Sequence, residues 1–349
     1  MQILKPFSKY LVSKLIDWVV VLFIVSLILW AAFTLPVYSM KTHSSVLPEG
    51  STERLKFTVS TLINTYNPRT YQFETLDFTT DYLRSELAQL GVVEVQPFGD
   101  TENREKIHNN LILRLGPDTQ EVFVIGAHYD TEDESLDAEG NASGIATLLE
   151  LARELSKNQD KLPIRVQLVA YPISKIDTKN LFTSVKTTGS EVHAKSLRRA
   201  GVKVRMMLSL DSVGHYSSQS GSQKYPYDFL HAFYPNQGNY ISVVGRLGEY
   251  QSLIDIKKSF VRSTPLPIES FNMLDNFEPT GAKDHLYYQQ QGYPSLLITD
   301  TAKYRESTSN KSVVDMLDYK SMGLLVKGLY QVVMDNYSGR IDPIHMAER

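Results

Sequence analysis

Hydrophobic residues in this 349-residue chain are grouped into short runs separated by longer mixed segments. The runs are rich in Val, Ile, Leu and Phe and show little alternation with polar residues, which is typical of strands buried on both faces. Predicted strands of this kind cover residues 111–115, 122–127, 164–170, 204–210, 240–244 and 295–299.

Between these strands, apolar residues recur at helical spacing. Predicted helices include residues 148–155, 192–200, 250–260 and 319–337. Nearly continuous apolar strands separated by amphipathic helices predict an α/β fold, a three-layer sandwich with a mostly parallel central sheet. A polar, aromatic stretch at 217–240 interrupts this alternation, and we expect it to form a surface loop or lid.

The N-terminal residues follow a different pattern. Residues 18–35 contain no charged side chain, and about eighteen apolar residues are near the minimum that crosses a bilayer roughly 30 Å thick. Three lysines precede this run, and aromatic residues that suit the membrane interface flank it: Lys5, Lys9, Lys14, Trp18, Trp30 and Tyr38. The bias of basic residues predicts a cytoplasmic N-terminus.

The predicted organisation is a cytoplasmic segment at 1–17, a transmembrane signal anchor at 18–38, a linker at 39–50 and one α/β domain at 51–349. The protein is then a single-pass membrane protein whose main domain lies on the extracytoplasmic side, periplasmic or extracellular. A cleaved signal peptide is an alternative, although the run is longer than the usual apolar region and no A-x-A site follows it. A buried core helix is another, although the run has no polar face.

Composition excludes some functions. A net charge of −3 and a pI near 6.3 provide no basic field, so we expect no nucleic-acid partner. The chain has no cysteine, and any transition metal must therefore be held by histidines and carboxylates.

Candidate ligands of this kind follow the predicted strands. His128 and Asp130 come directly after one strand, Asp211 follows another, and the pair Asp284-His285 precedes Gly292-Tyr-Pro294. A helix opens at Asn141-Ala-Ser-Gly144, with Asn141 as the expected N-cap. Because ligand sites of parallel sheets lie beyond the carboxyl ends of the strands, we expect His128, Ser174 and Asp211, which each follow a strand-like run, to lie together.

The order of these motifs, together with Gly189-Ser190, resembles metallopeptidase family 28, the co-catalytic zinc aminopeptidases that also include the glutaminyl cyclases. The resemblance spans about residues 51–337 and implies a zinc exopeptidase-like fold. It implies that His128 and Asp211 are zinc ligands, that Asp130 orients the imidazole of His128, and that His285 is a ligand of the other metal, with Asp284 beside it in the second shell.

Several positions depart from the family pattern. The resemblance implies a bridging aspartate at the position of Gly140, and a general-base glutamate followed by a glutamate ligand at the positions of Ser174 and Lys175. A serine hydroxyl has too high a pKa to act as the base, and an ammonium repels a metal cation. The stretch 306–311 also departs from one branch of the family.

The remaining ligands are few. His285 would serve one metal, and His128 and Asp211 the other, whereas catalytic zinc usually has three protein ligands. Low zinc occupancy, or no cofactor at all, is the expectation. Rescue of a ligand by Asp137, Glu139 or Asp177 remains open, and Lys175 could pair with a remaining carboxylate in place of the metal.

Three functions follow as hypotheses. The first is a membrane-anchored, catalytically impaired member of the family that binds a peptide or protein through the pocket or its rim. The second is an active zinc-dependent aminopeptidase with substituted ligands. The third is a structural subunit of a membrane complex, held through residues 18–35.

Overall fold

A computed structural model describes residues 4–38, 46–99, 107–131, 139–174, 187–273, 284–302 and 312–335. The helices in these ranges are α1 Leu4–Thr34, α2 Ser51–Asn64, α3 Thr75–Ala88, α4 Ala142–Ser156, α5 Gly189–Arg199, α6 Tyr250–Ser263, α7 Asp284–Gln290, α8 Val313–Met316 and α9 Tyr319–Asp335. The strands are β1 Val93–Gly99, β2 Ile107–Leu115, β3 Glu121–His128, β4 Arg165–Tyr171, β5 Lys203–Leu210, β6 Ile241–Arg246, β7 Ile268–Met273 and β8 Ser295–Thr299.

The strands form one mixed sheet in the order β1-β2-β4-β3-β5-β8-β6-β7. Its centre is parallel, since β3 pairs in parallel with β4 and β5, and β5 pairs in parallel with β8. Antiparallel pairs flank this centre on both sides, at β2 with β4 and at β6 with β8. The carboxyl ends of β4, β3, β5 and β8 therefore meet at one edge of the sheet.

Helices cover both faces of the sheet, which confirms the predicted α/β sandwich. Alternate residues of β3 supply the two cores: Phe123, Ile125 and Ala127 belong to the larger one, and Val122 and Val124 to the smaller one. Helices α2, α4, α6 and α9 pack together over the larger core, whereas α5 and α7 pack over the smaller one.

The six predicted strands and the four predicted soluble helices are all present, with ends shifted by a few residues. Strands β1 and β7 and helices α2, α3 and α7 were not expected. The loop 217–240 contains a short 3-10 turn at Asp228–Ala232. Some of its aromatic residues pack on the sheet, where the ring of Tyr234 stacks on Phe271 at 4.1 Å.

Helix α1 is longer than the predicted span because it begins at Leu4. A stretch of 21 residues, Val12–Ala32, has a mean hydropathy of 2.5 and is not buried against the rest of the described chain. By length and composition it could cross a membrane, although a signal sequence near the N-terminus would have the same properties.

The carboxyl end of α1 is attached to the domain. Leu35 ends the helix in the left-handed conformation, with a φ of 44°, and its side chain is only 3% exposed within the larger core. This conformation costs a non-glycine residue about 1 kcal/mol, which burial of the leucine side chain offsets.

A buried lysine of α6 binds the same helix end. Lys257, 3% exposed, donates from Nζ to the carbonyl of Thr34 at 2.7 Å and to the hydroxyl of Ser270 at 3.3 Å. Ser270 donates to the same carbonyl at 2.8 Å. Burial lowers the pKa of Lys257, while Glu269, 3.9 Å away, favours the charged form. The ammonium thus satisfies a carbonyl that a helix end leaves without an intrahelical donor.

We predict that Lys257→Met lowers the free energy of unfolding of the full chain by about 2 kcal/mol, because the end of α1 and Glu269 lose a charged hydrogen-bonding partner. The measurement is urea unfolding in detergent followed by circular dichroism. Lys258→Met is the matched control, since Lys258 is the exposed neighbour on the same helix and should change stability by less than about 0.5 kcal/mol. Equal effects of the two substitutions would contradict the role given to Lys257.

Candidate functional site

Three neighbouring strands bring the predicted site residues together. His128 ends β3, Asp211 follows β5, and Ser174 lies three residues beyond β4. All three side chains are buried. Because β4, β3 and β5 are adjacent and parallel, their carboxyl ends place these residues at one edge of the sheet, as the sequence predicts.

The imidazole of His128 lies between two carboxylates. Its Nδ1 is 3.0 Å from Oδ1 of Asp130, and its Nε2 is 3.8 Å from Oδ1 of Asp211. Burial alone would lower the pKa of His128, but hydrogen bonding and charge from Asp130 and Asp211 raise it well above its ordinary value. Many metal-binding histidines have this arrangement. One ring nitrogen is hydrogen-bonded to a carboxylate, and the other faces an acidic side chain that can also bind the metal.

Ser174 is bound to the orienting carboxylate. Its backbone N–H and its hydroxyl both donate to Oδ2 of Asp130, at 3.0 and 2.9 Å. The serine therefore fixes Asp130, which in turn holds His128. Its neutral hydroxyl acts as a donor here and offers no proton acceptor comparable to a glutamate.

Asp284 and His285 lie in the first turn of α7 and are both buried. Burial raises the pKa of Asp284 to about 6, against the opposing effects of His128 and Ser190. The charges of Asp211 and Asp130 raise it further. Asp284 is thus electrostatically part of the cluster around His128.

The Asn-Ala-Ser-Gly motif joins the strand ends to helix α4. The side-chain amide of Asn141 donates to the carbonyls of His128 and Leu210, at 3.0 and 2.9 Å, and its oxygen accepts from the N–H of Ser212 at 2.9 Å. A Cβ on Gly144 would collide with the Asn141 amide, which explains the glycine.

The helix cap differs from the one that the sequence suggests. Asn141 stands at the N-cap position in the left-handed conformation, but its side chain does not cap the helix. Glu139 does so instead, since its carboxylate accepts from the N–H of Asn141 at 2.9 Å and from the N–H of Ser143 at 2.6 Å. Both oxygens of Glu139, a candidate rescuing ligand, are therefore bound to the start of α4.

Sequence reasoning missed Arg69, which is fully buried beneath Gly140. Its guanidinium donates to the carbonyls of Glu139 and Gly140 at 3.0 and 2.8 Å and to the carbonyls of Tyr129 and Leu62 at 2.7 and 2.8 Å. Burial lowers its pKa to about 10. Nothing in the local sequence, an arginine after a proline, signals this role.

The structure leaves no space for a side chain at Gly140. Its φ is +48°, and a Cβ there would lie 2.7 Å from Nη2 of Arg69 and closer still to Cγ2 of Thr131. The position at which the resemblance implies a bridging carboxylate is thus enclosed by two other side chains.

These residues do not fit a two-zinc centre. Among the described residues, no three or more His, Asp or Glu side chains are placed to hold one metal ion, whereas catalytic zinc generally has three protein ligands. Lys175, Asp137, Asp177 and the stretch 306–311 lie outside the described residues, so their predicted roles stay predictions.

Comparison with known proteins identifies the family. The model of peptidase family M28 matches residues 110–327. The Escherichia coli K12 protein YfbL is 34% identical over 298 residues, which cover 82% of this chain and 88% of YfbL.

Solved structures share the fold at low identity. A glutaminyl cyclase from Bacteroides thetaiotaomicron superposes with a TM-score of 0.59 at 15% identity, covering 83% of this chain and 99% of the cyclase. The aminopeptidase LapA of Legionella pneumophila gives a TM-score of 0.58 at 18% identity, covering 88% and 79%. The sheet, the motifs at its carboxyl edge and these relatives agree, and the chain belongs to peptidase family M28.

Proposed function

We propose that this chain is a membrane-anchored member of family M28 that is catalytically impaired and binds a peptide or protein in the pocket at the carboxyl ends of β3 and β5. The observation that carries the proposal is Gly140. The bridging ligand is absent from this position, and the surrounding side chains leave no room for it.

The general base is also replaced. A peptidase of this class needs a group that takes a proton from the attacking water. Ser174 stands at that position by resemblance, and its hydroxyl is bound to Asp130. Restoring the chemistry would therefore need changes at both Gly140 and Ser174.

The attachment of α1 supports an uncleaved anchor. Removal of the helix with a signal peptide would take the Thr34 carbonyl away from Lys257 and would empty the core position of Leu35. An ammonium left in a largely buried site without that partner is costly. These contacts favour a helix that stays attached to the mature protein.

The charge of the pocket suits a positively charged group. The carboxylates of Asp130, Asp211 and Asp284 surround the single imidazole of His128. An amino terminus of a peptide carries a compact positive charge that such a cluster attracts. This lining supports binding of the amino terminus of a peptide.

A second function is supported by one specific observation. The geometry of His128, with Asp130 on Nδ1 and Asp211 facing Nε2, is compatible with ligation of a single zinc ion. An active aminopeptidase would then need a third zinc ligand and a general base from residues outside the described ranges. One such range, residues 132–138, contains four acidic residues: Glu132, Asp133, Glu134 and Asp137. Zinc, when bound, would polarise a carbonyl or a water molecule.

Metal content and hydrolysis separate the two functions. We expect the full chain, purified in detergent from zinc-supplemented cells, to contain well below one zinc per chain by mass spectrometry and to leave aminoacyl amides intact. An active enzyme would instead contain stoichiometric zinc and show hydrolysis that a chelator and His128→Ala both abolish. That result would reject the impaired function.

The enclosure of Gly140 can be tested by stability. We predict that Gly140→Asp and Gly140→Ala each destabilise the chain by more than 2 kcal/mol, because the strain of a positive φ, about 1 kcal/mol, adds to the clash with Thr131 and Arg69. Gly221→Ala is the matched control, since Gly221 also has a positive φ but no neighbour within 4 Å of its added Cβ. Equal losses for positions 140 and 221 in thermal unfolding would show that position 140 has room for a ligand.

Peptide binding is tested with a fluorescent tetra-alanine peptide whose amino terminus is either unblocked or acetylated. We expect the full chain to bind the unblocked peptide at least about tenfold more tightly, a difference of about 1.4 kcal/mol, and Asp211→Asn to remove this preference. Anisotropy titration provides the measurement. Equal affinities for the two peptides would contradict recognition of the amino terminus.

A further inference from the structure

The end of α1 and the loop 217–240 are attached to the same edge strand, β7. Ser270 of β7 donates its hydroxyl to the Thr34 carbonyl at 2.8 Å, and its own carbonyl accepts from the hydroxyl of Tyr234 at 2.9 Å. The next residue, Phe271, stacks on Tyr234 and lies near the ring of Tyr225, 6.2 Å away. The loop is therefore held beside the point where the helix joins the domain.

Two aromatic residues of this loop point outward. Tyr227 and Phe229 have stacked rings, 6.0 Å between centroids, and are 40% and 59% exposed. They differ from Tyr234 and Tyr240, which are buried in the same segment. Tyr38, three residues beyond the buried Leu35, is 83% exposed.

Exposed aromatic rings next to the end of a membrane-spanning helix are suited to the membrane–water interface. Tyrosine and other aromatic side chains are enriched at the membrane–water interface, where the ring contacts lipid and polar atoms stay near the headgroups. Ser270 binds the Thr34 carbonyl at the end of the helix and accepts a hydrogen bond from Tyr234 of the loop, so the loop lies close to the helix end.

We propose that Tyr38, Tyr227 and Phe229 form a membrane-facing surface, with which the domain rests on the lipid headgroup region on the side of β7. This inference depends on the proposed membrane anchor. The occupant of the surface is the bilayer that contains α1, because the end of that helix and the loop are both bound to Ser270.

The opposite edge of the sheet provides a comparison. Phe78 of α3 is 54% exposed, similar to Phe229, but α3 packs against β1 and β2, which lie at the other end of the strand order from β7. The surface around Phe78 is therefore predicted to face water.

The absence of cysteine from the chain permits single-cysteine labelling without further changes. Full-length Phe229→Cys, Tyr227→Cys, Phe78→Cys and Phe23→Cys variants are labelled with an environment-sensitive fluorophore and reconstituted in phosphatidylcholine vesicles. Quenching is then measured with lipids that carry a nitroxide at the headgroup or deep in the acyl chain. The four side chains are exposed, so the substitutions should leave the fold intact.

We expect headgroup nitroxides to quench the probes at 227 and 229 at least twofold more than the probe at 78, and deep nitroxides to quench the probe at 23. Quenching at 23 combined with equal quenching at 229 and 78 would overturn the membrane-facing surface and leave the anchor in place. No lipid quenching at 23 would overturn the anchor, and the surface with it.

Discussion

The side chain of Asn141 is the constraint on which the candidate site depends. One amide group binds the carbonyls at the ends of β3 and β5 and the N–H after Asp211, and it does so from a left-handed backbone at the start of α4. The bonds to the two carbonyls are buried, and a buried carbonyl requires a hydrogen-bonding partner. His128 and Asp211 keep their separation because the two strand ends that carry them are tied to the same residue, and Gly144 leaves the space in which that residue lies.

The departures from the family pattern reach beyond missing ligands. The guanidinium of Arg69 binds the backbone carbonyls of Glu139 and Gly140, and Gly140 is the position at which the resemblance implies a bridging carboxylate. Burying this cation is expensive, and its four backbone carbonyl partners offset the cost. The backbone of residues 139 and 140 is thus held by an internal cation of the protein, and the carboxylate of Glu139 binds the N-terminus of α4.

The sequence predicts the buried centre of the fold well and its edges poorly. Strands β3, β4 and β5 are recognisable because both of their faces are buried, whereas β1 alternates Val93 and Val95 with Glu94 and Gln96 and contains Pro97. Residues His128, Asp211 and Ser174 could be placed because parallel strands end at one edge. Arg69 could not, since its partners at 139 and 140 are about seventy positions away in the chain, and the cap was assigned to Asn141 because asparagine ordinarily favours that position.

The sheet also relates the pocket to the end of α1. The helix end is bound by side chains of α6 and β7, and β7 is joined through β6 and β8 to β5, whose end carries Asp211. Strands of a hydrogen-bonded sheet move little relative to one another, because ladders of hydrogen bonds join neighbouring strands. In a chain anchored through α1, the fold then sets the distance between the candidate site and the end of that helix.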